Sequence, residues 1–286
     1  MSKPILNIEN LTISSTNPSK LLVHKLNLKI GKHTSLALVG ENGSGKTTIT
    51  KAVLGFLPDN CEILEGDIYF KNYNLAQFSQ KEFRKIRGKG IATILQNAMG
   101  SLTPSMRVGA QIIETLRQHE DLSKREAHAK ALDLLSNVHI ANPEHCLSLY
   151  PFELSGGMRQ RVVIAISLAS NPDLILADEP TTALDSVSQS QVLRILHKIH
   201  KDKKTTMLLV THNLALVSEL CDDIAIIKGG EIVETGSVKE VFSNPKHPYT
   251  LRLLNAVSKI PIHSSGSSIS SRAITENNAY QSKGDL

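Results

Sequence analysis

The sequence predicts an α/β fold: a parallel-sheet core with a mostly helical lobe inserted into it. Three observations predict it. Short, continuous apolar runs such as Ser35–Val39 have the length of strands buried on both faces of a parallel sheet. A glycine-rich stretch lies directly between that run and a helical segment, so strand, loop and helix follow one another without a break. From about residue 97 to 155 the strand signals stop and helical spacing takes over.

The first strand is Leu26, Leu28 and Ile30 alternating with Asn27 and Lys29, a half-buried pattern. Gly31 turns the chain into Ser35–Val39. Thr47–Leu57 reads as a helix stopped by Pro58. Further strands are expected at Asp67–Phe70, Ile91–Leu95, Leu174–Ala177, Thr206–Val210 and Ile224–Ile227. The last is joined through Gly229-Gly230 to Glu231–Thr235 as a hairpin. In the lobe, Val108–Gln118 and Lys124–Asn137 have helical spacing. Serines crowd residues 264–271, and the composition there is that of a disordered tail.

With 286 residues, 41% hydrophobic and 17 of them glycine, the chain can bury a large core, which excludes global disorder. Aromatics are 4% and tryptophan is absent, against a surface that stacks single-stranded bases. Cys61, Cys146 and Cys221 are far apart and form no CxxC, so neither a disulfide framework nor a zinc knuckle is expected. The net charge of +5 includes clusters at Arg84–Lys89 and Lys198–Lys204. These suit a solvated basic face, or contact with polyphosphate or an anionic membrane. The N-terminus has no apolar stretch of signal-peptide length, and runs such as Val162–Ala169 are too short to span a bilayer.

Gly40-Glu41-Asn42-Gly43-Ser44-Gly45-Lys46-Thr47-Thr48 satisfies G-x-x-x-x-G-K-[ST]. Glycines let successive backbone N–H groups turn onto phosphate oxygens without a Cβ in the way. The helix N-terminus adds its positive dipole. Lys46 would neutralise the β- and γ-phosphates, and the Thr47 hydroxyl would ligate Mg²⁺. Downstream, Leu174-Ile-Leu-Ala-Asp178-Glu179 is an apolar strand ending in two carboxylates. Alternation along a strand points neighbours to different sides, so Asp178 could hold Mg²⁺ while Glu179 polarises the attacking water. His212 ends the apolar strand 208–211, and Gln96 follows Ile91–Leu95. His212 could bond the γ-phosphate and the water, and Gln96 could touch Mg²⁺ or water. Taken alone, a strand-end histidine is more often structural and a loop glutamine is ordinary.

Leu154-Ser155-Gly156-Gly157-Met158-Arg159-Gln160-Arg161 resembles the signature sequence of ATP-binding cassette (ABC) ATPases. Ser155 is a fitting N-cap for a helix running to Ser170 and stopped by Asn171-Pro172. Over residues 5 to about 258 the motifs occur in the family's order. The resemblance implies a P-loop NTPase cassette: a RecA-like core with an antiparallel β subdomain and an inserted helical lobe. It implies ATP and Mg²⁺ as cofactors, with Glu179, His212 and Gln96 catalytic and Thr47, Gln96 and Asp178 on the metal. Ser155, Gly156, Gly157 and Asp185 would complete the ATP site of a second cassette. In this scheme residues 1–96 and 161–242 form the core, 97–160 the signature lobe, 243–258 a C-terminal segment and 259–286 a tail.

Asn244-Pro-Lys-His-Pro-Tyr-Thr250-Leu-Arg-Leu-Leu254 is similar to the C-terminal segment of dipeptide, oligopeptide and nickel importer ATPases. Gln96-Asn97, Ser101–Pro104 and Tyr150–Glu153 resemble the same group, with residues 91–97 and 149–155 most like its nickel-import branch; peptide import is the alternative. The resemblance implies a peripheral subunit on the cytoplasmic face of the bacterial inner membrane. Its partners would be two permease subunits, a second cassette (a related chain or another copy) and, indirectly, a solute-binding protein. Hydrolysis would energise import; an ABC-type ATPase acting on nucleic acid is the distant rival, and no nucleic-acid partner is expected. Three departures stand out. No aromatic precedes Phe56, so adenine would rest on Leu22 or His24. Ala98 stands where proline is frequent, which would loosen the loop. No cysteine follows Cys221, which excludes a C-terminal iron–sulfur cluster. His197 and His200, three apart on a helix, are expected on a solvated face rather than as metal ligands.

Overall fold

The computed structural model describes residues 3–17, 19–203 and 205–258; the serine-rich stretch and the expected tail lie outside them. The described residues form ten strands and ten helices, beginning with β1 (Leu6–Thr16), β2 (Ser19–Ile30), β3 (Ser35–Val39), α1 (Lys46–Leu54), β4 (Cys61–Phe70), β5 (Tyr73–Asn74), α2 (Gln80–Ile86) and β6 (Ile91–Ile94). The lobe contributes α3 (Val108–His119), α4 (Lys124–Asn137) and α5 (Pro143–Ser148). Then come α6 (Gly156–Leu168), β7 (Leu174–Asp178), α7 (Ser186–Lys203), β8 (Thr206–Thr211), α8 (Leu214–Leu220), β9 (Asp223–Lys228), β10 (Glu231–Ser237), α9 (Val238–Ser243) and α10 (Pro248–Ser258).

The strands make two sheets. The core sheet has the order β10-β9-β3-β8-β7-β6. Its interior neighbours are parallel, and β10 pairs antiparallel with β9 as a hairpin. Every residue of β3, β7 and β8 is buried, which is why these strands read as unbroken apolar runs. The second sheet, β2-β1-β4-β5, is antiparallel. One core lies between the sheets and around α1, with Leu6, Ile8, Leu38, Ile49 and Phe70. A second joins the other face of the core sheet to the lobe, running from Ile175 and Ala177 to Ile112 and Leu135. Residue 160, where the sequence reading ends the lobe, lies inside α6.

Local sequence explains most ends. Ser123 and Ser237 cap α4 and α9 in reciprocal capping boxes with Glu126 and Glu240. Helix α1 stops earlier than expected, at Gly55 (φ 67°) rather than Pro58. A Cβ there would lie 2.3 Å from the Phe83 ring, so only glycine fits this left-handed cap. Strand β1 goes unread in the sequence because its alternation slips: Leu6 and Ile8 point inward, then Leu11 and Ile13, across Asn10 at φ 50°.

Two surface expectations are corrected. Arg87, in the basic cluster 84–89, is not a solvated charge: its guanidinium sits 3.7 Å from the Phe56 ring centroid and donates to the Leu54 carbonyl at the end of α1. His200 is buried at 4% exposure, whereas His197 is exposed. The His200 Nδ1 lies 3.0 Å from the Thr205 carbonyl and Nε2 lies 3.0 Å from Asp222. The i, i+3 pair therefore straddles the helix edge, one ring inward and one outward.

Candidate functional site

The C-terminal ends of β3, β7 and β8 open on one cavity of about 450 Å³, lined by Leu22, Asn42, Gly43, Gly45–Thr48, Gln96, Glu179, Thr182 and His212. Chain order scatters these residues; the parallel sheet gathers them, because loops at strand C-termini share one edge. The loop from Gly40 to Gly45 is shaped by its glycines. A Cβ on Gly40 would lie 2.3 Å from the Ile227 carbonyl, and Gly45 has φ 105° with a Cβ position 2.7 Å from the Leu22 carbonyl. Helix α1 then starts at Lys46 without a side-chain cap, so its first N–H groups remain available to an anion.

Lys46 is 6% exposed and donates to the Gly40 and Glu41 carbonyls at 2.7 and 2.9 Å. Burial pulls its pKa below the ordinary lysine value, while Glu179, Asp178 and Glu41 oppose that. Asp178, 8% exposed, accepts from the Thr50 hydroxyl at 3.5 Å and has the Thr47 side chain beside it. Burial raises its pKa above the usual carboxylate value, and Glu179 adds to the rise.

Glu179 is separated from Asp178 by a turn, not by strand alternation as expected. Strand β7 ends at Asp178, and Glu179 takes φ 49°, its N–H donating to the Val210 carbonyl at 2.8 Å. A non-glycine residue in that region is strained, and here the strain turns its side chain to the cavity. One carboxylate oxygen accepts from Thr182 Oγ1 at 2.6 Å; the other lies 2.7 Å from His212 Nδ1. A carboxylate only accepts, so Nδ1 carries the proton in this pair and Nε2 is left toward solvent. Thr182 and Thr50 were missed by sequence reasoning, since nothing in their spacing marks them.

The remaining expectations divide. Leu22 lines the cavity, but His24 does not: its Nδ1 lies 2.5 Å from Glu231, beside a neighbouring pocket. The loop after Gln96 is closed despite Ala98, by Gly100 N–H to the Asn97 side chain and Ser101 Oγ to the Asn97 carbonyl. Ser155 caps α6, accepting from the Met158 N–H at 3.2 Å. Gly157 packs on α7, where a Cβ would come within 2.4 Å of Ser188 Oγ. Asp185 caps α7 through the Ser188 N–H, which holds its carboxyl below the usual value. Ser155, Gly156 and Asp185 are exposed, and none of these four residues lines the cavity.

Residues 23–182 match the ABC transporter family. The chain belongs to that family. Residues 233–282 further match the oligopeptide/dipeptide transporter C-terminal region. Among relatives, the cassette is 42% identical over 253 residues to the oligopeptide transport ATP-binding protein OppD of Bacillus subtilis, covering 87% of this chain and 71% of the relative. It is 42% identical to the dipeptide transport ATP-binding protein DppD of Lactococcus lactis, covering 82% and 68%. Among solved structures, the ATP-binding cassette MJ0796, a dimer in a post-hydrolysis state bound to ADP and Pi, superposes with TM-score 0.73 at 27% identity, covering 82% of this chain and 98% of that one. The α/β core, antiparallel sheet and helical lobe are thus those of an ABC cassette. Among the described residues, no helix is long and apolar enough to cross a membrane.

Proposed function

We propose that this cassette is the ATP-hydrolysing subunit of an importer of dipeptides or oligopeptides. The observation that carries the hydrolytic part is the Glu179 carboxylate, held at the cavity by Thr182 on one oxygen and His212 on the other. The peptide part is supported by the C-terminal match over 233–282 and by the relatives named above. They weigh toward peptides over the nickel branch that residues 91–97 and 149–155 resemble.

The cavity suits ATP with Mg²⁺. Gly40 and Gly45 stand where a Cβ would strike the Ile227 and Leu22 carbonyls, the first N–H groups of α1 have no side-chain cap, and the Thr47 side chain neighbours the Asp178 carboxylate. Hard oxygen donors of this kind, few in number, suit a Mg²⁺ that keeps waters and substrate oxygens in its shell. Thr47 and Asp178 would hold the Mg²⁺, which would offset the charge on the phosphate oxygens. Gln96, at the cavity wall, is the third candidate to reach it. The chain's own residues do the rest. Lys46 and the amides of α1 bind the phosphates. Glu179, fixed at both oxygens, orients water for in-line attack and accepts its proton. His212, with Nδ1–H on Glu179, presents its other nitrogen to the γ-phosphate region. Leu22 is left as the apolar contact for the base.

Ser155, Gly156, Gly157 and Asp185 act on the nucleotide of a second cassette, either another copy or a related chain. Closure of the pair drives the lobe against two permease subunits at the cytoplasmic face of the inner membrane, and hydrolysis reopens it. A solute-binding protein delivers cargo without touching this chain. The test is growth of a strain lacking this chain on limiting dipeptides or short oligopeptides, beside uptake of radioactive nickel. Lost peptide use with normal nickel uptake is expected; the reverse pattern assigns the nickel branch.

A further inference from the structure

The C-terminal segment touches the phosphate loop directly. Tyr249, near the start of α10, is 3% exposed, and its hydroxyl accepts the Glu41 N–H at 3.2 Å. The segment is anchored around it. Glu234 of β10 accepts the N–H groups of Lys246 and His247 at 2.8 and 3.0 Å. His247 Nδ1 accepts the Tyr249 N–H at 3.1 Å, and Lys228 Nζ stands 5.2 Å from the centre of the Tyr249 ring. Burial pushes the Tyr249 hydroxyl above its ordinary pKa, so it stays a neutral phenol at physiological pH.

The peptide unit that Tyr249 grips is the one joining Gly40 to Glu41. Its carbonyl, Gly40 O, is the 2.7 Å acceptor of Lys46 Nζ. A hydrogen bond to the N–H of a peptide polarises its carbonyl and strengthens the next bond in the line. The line here runs from Tyr249 through that peptide to Lys46. An ammonium has three donors. Two are held by the Gly40 and Glu41 carbonyls, which leaves one for the cavity that Lys46 lines.

We infer that Tyr249 is a positioning residue: it fixes the Gly40–Glu41 peptide so that Lys46 is held ready for a terminal phosphate, and so makes the C-terminal segment part of the nucleotide site. This rests on the reading that the cavity takes ATP. The test is Tyr249→Phe in the full chain, which keeps the ring over Lys228 and removes the hydroxyl. Binding is read with a fluorescent ATP analogue and Mg²⁺, turnover by phosphate release, and stability by nucleotide-free melting.

The expected result is a Kd about threefold to tenfold weaker, the range for loss of one hydrogen bond. KM should rise in step, while kcat at saturating ATP stays within about twofold, because Tyr249 touches no reacting atom. An unchanged Kd overturns the inference, and a lowered Tm beside it would mark Tyr249 as packing alone. In a Lys46→Ala background the same change should weaken binding no further; a full second loss rules out the route through Lys46. Should Y249F not fold, amide exchange on the wild-type chain still decides, since the Glu41 N–H must exchange slowly and open-loop exchange there refutes the bond. A wild-type chain that fails to bind the analogue at all refutes the ATP reading instead.

Discussion

The phosphate loop and the signature edge are both helix N-termini preceded by glycine or serine, yet they are built in opposite ways. At the loop the key charged groups are covered, although Glu41, Asn42, Gly43 and Thr47 are exposed. Lys46 and Asp178 are buried, and the residues around them come from four strand ends of the core sheet, those of β3, β6, β7 and β8, with Leu22 of β2 from the second sheet. The signature edge is open: Ser155 and Gly156 are exposed, Gly156 has only Leu184 near its Cβ position at 3.7 Å, and the cavity lies elsewhere. A helix end that satisfies its own cap and then faces solvent has amides to offer something outside the chain. The contrast is between a loop whose charged groups are gathered into a cavity of its own chain and a helix end that faces outward, away from that cavity.

The variants expected to separate the two regions most sharply come first. Glu179→Gln should lower phosphate release about a hundredfold to ten-thousandfold, the range for a general base, while ATP still binds. Near-normal release would remove Glu179 from that role. Ser155→Arg should leave ATP binding to the isolated chain intact and lower turnover of the assembled pair by about a hundredfold, as for loss of an oxyanion-type donor. Equal damage to binding in the isolated chain would erase the contrast between the edges. Lys46→Ala should weaken ATP binding by about 10- to 100-fold, from charge-assisted hydrogen bonds of ~1.5–3 kcal/mol. Unaltered affinity by titration calorimetry would contradict the cradle.

The smallest effect concerns the far end of β3. There the Asp222 carboxylate accepts the Ser35 N–H and hydroxyl at 2.9 and 2.7 Å and faces His200 at 3.0 Å. Asp222→Ala should cost ~1–3 kcal/mol, the penalty for stranding buried donors. It should lower Tm by several degrees with ATP affinity unchanged, since this network lies at the opposite end of β3 from the loop. A matching loss of affinity would show that the two ends of the strand are not independent.

Much of this was legible in local sequence. The buried parallel strands betrayed themselves as unbroken apolar runs, and Ser35–Val39 is read to the residue. Two lobe helices declared themselves by spacing, Lys124–Asn137 being likewise read to the residue, whereas the short α5 was too brief to show a period. Strand β1 was hidden by a bulge at Asn10, since a slipped alternation has no period. Helix α1 ended at a glycine with φ 67° whose Cβ position is taken up by the Phe83 ring, 28 residues away in sequence. His200 looked solvated because helical spacing does not say which side of an edge is covered.

Read along the chain, the chemical groups and their order are already plain: a glycine loop with Lys46, an acid pair, a strand-end histidine and a serine-capped signature helix. Those depend on residue type and near-neighbour spacing, which the chain carries locally. Which groups meet is set by the fold. It set the Glu179 carboxylate between Thr182 and His212, turned His24 away toward Glu231, and laid Tyr249 against a peptide 208 residues earlier. Such meetings depend on sheet order and on turns that take up positive φ, and no local pattern of side chains encodes where two distant strand ends will come to rest.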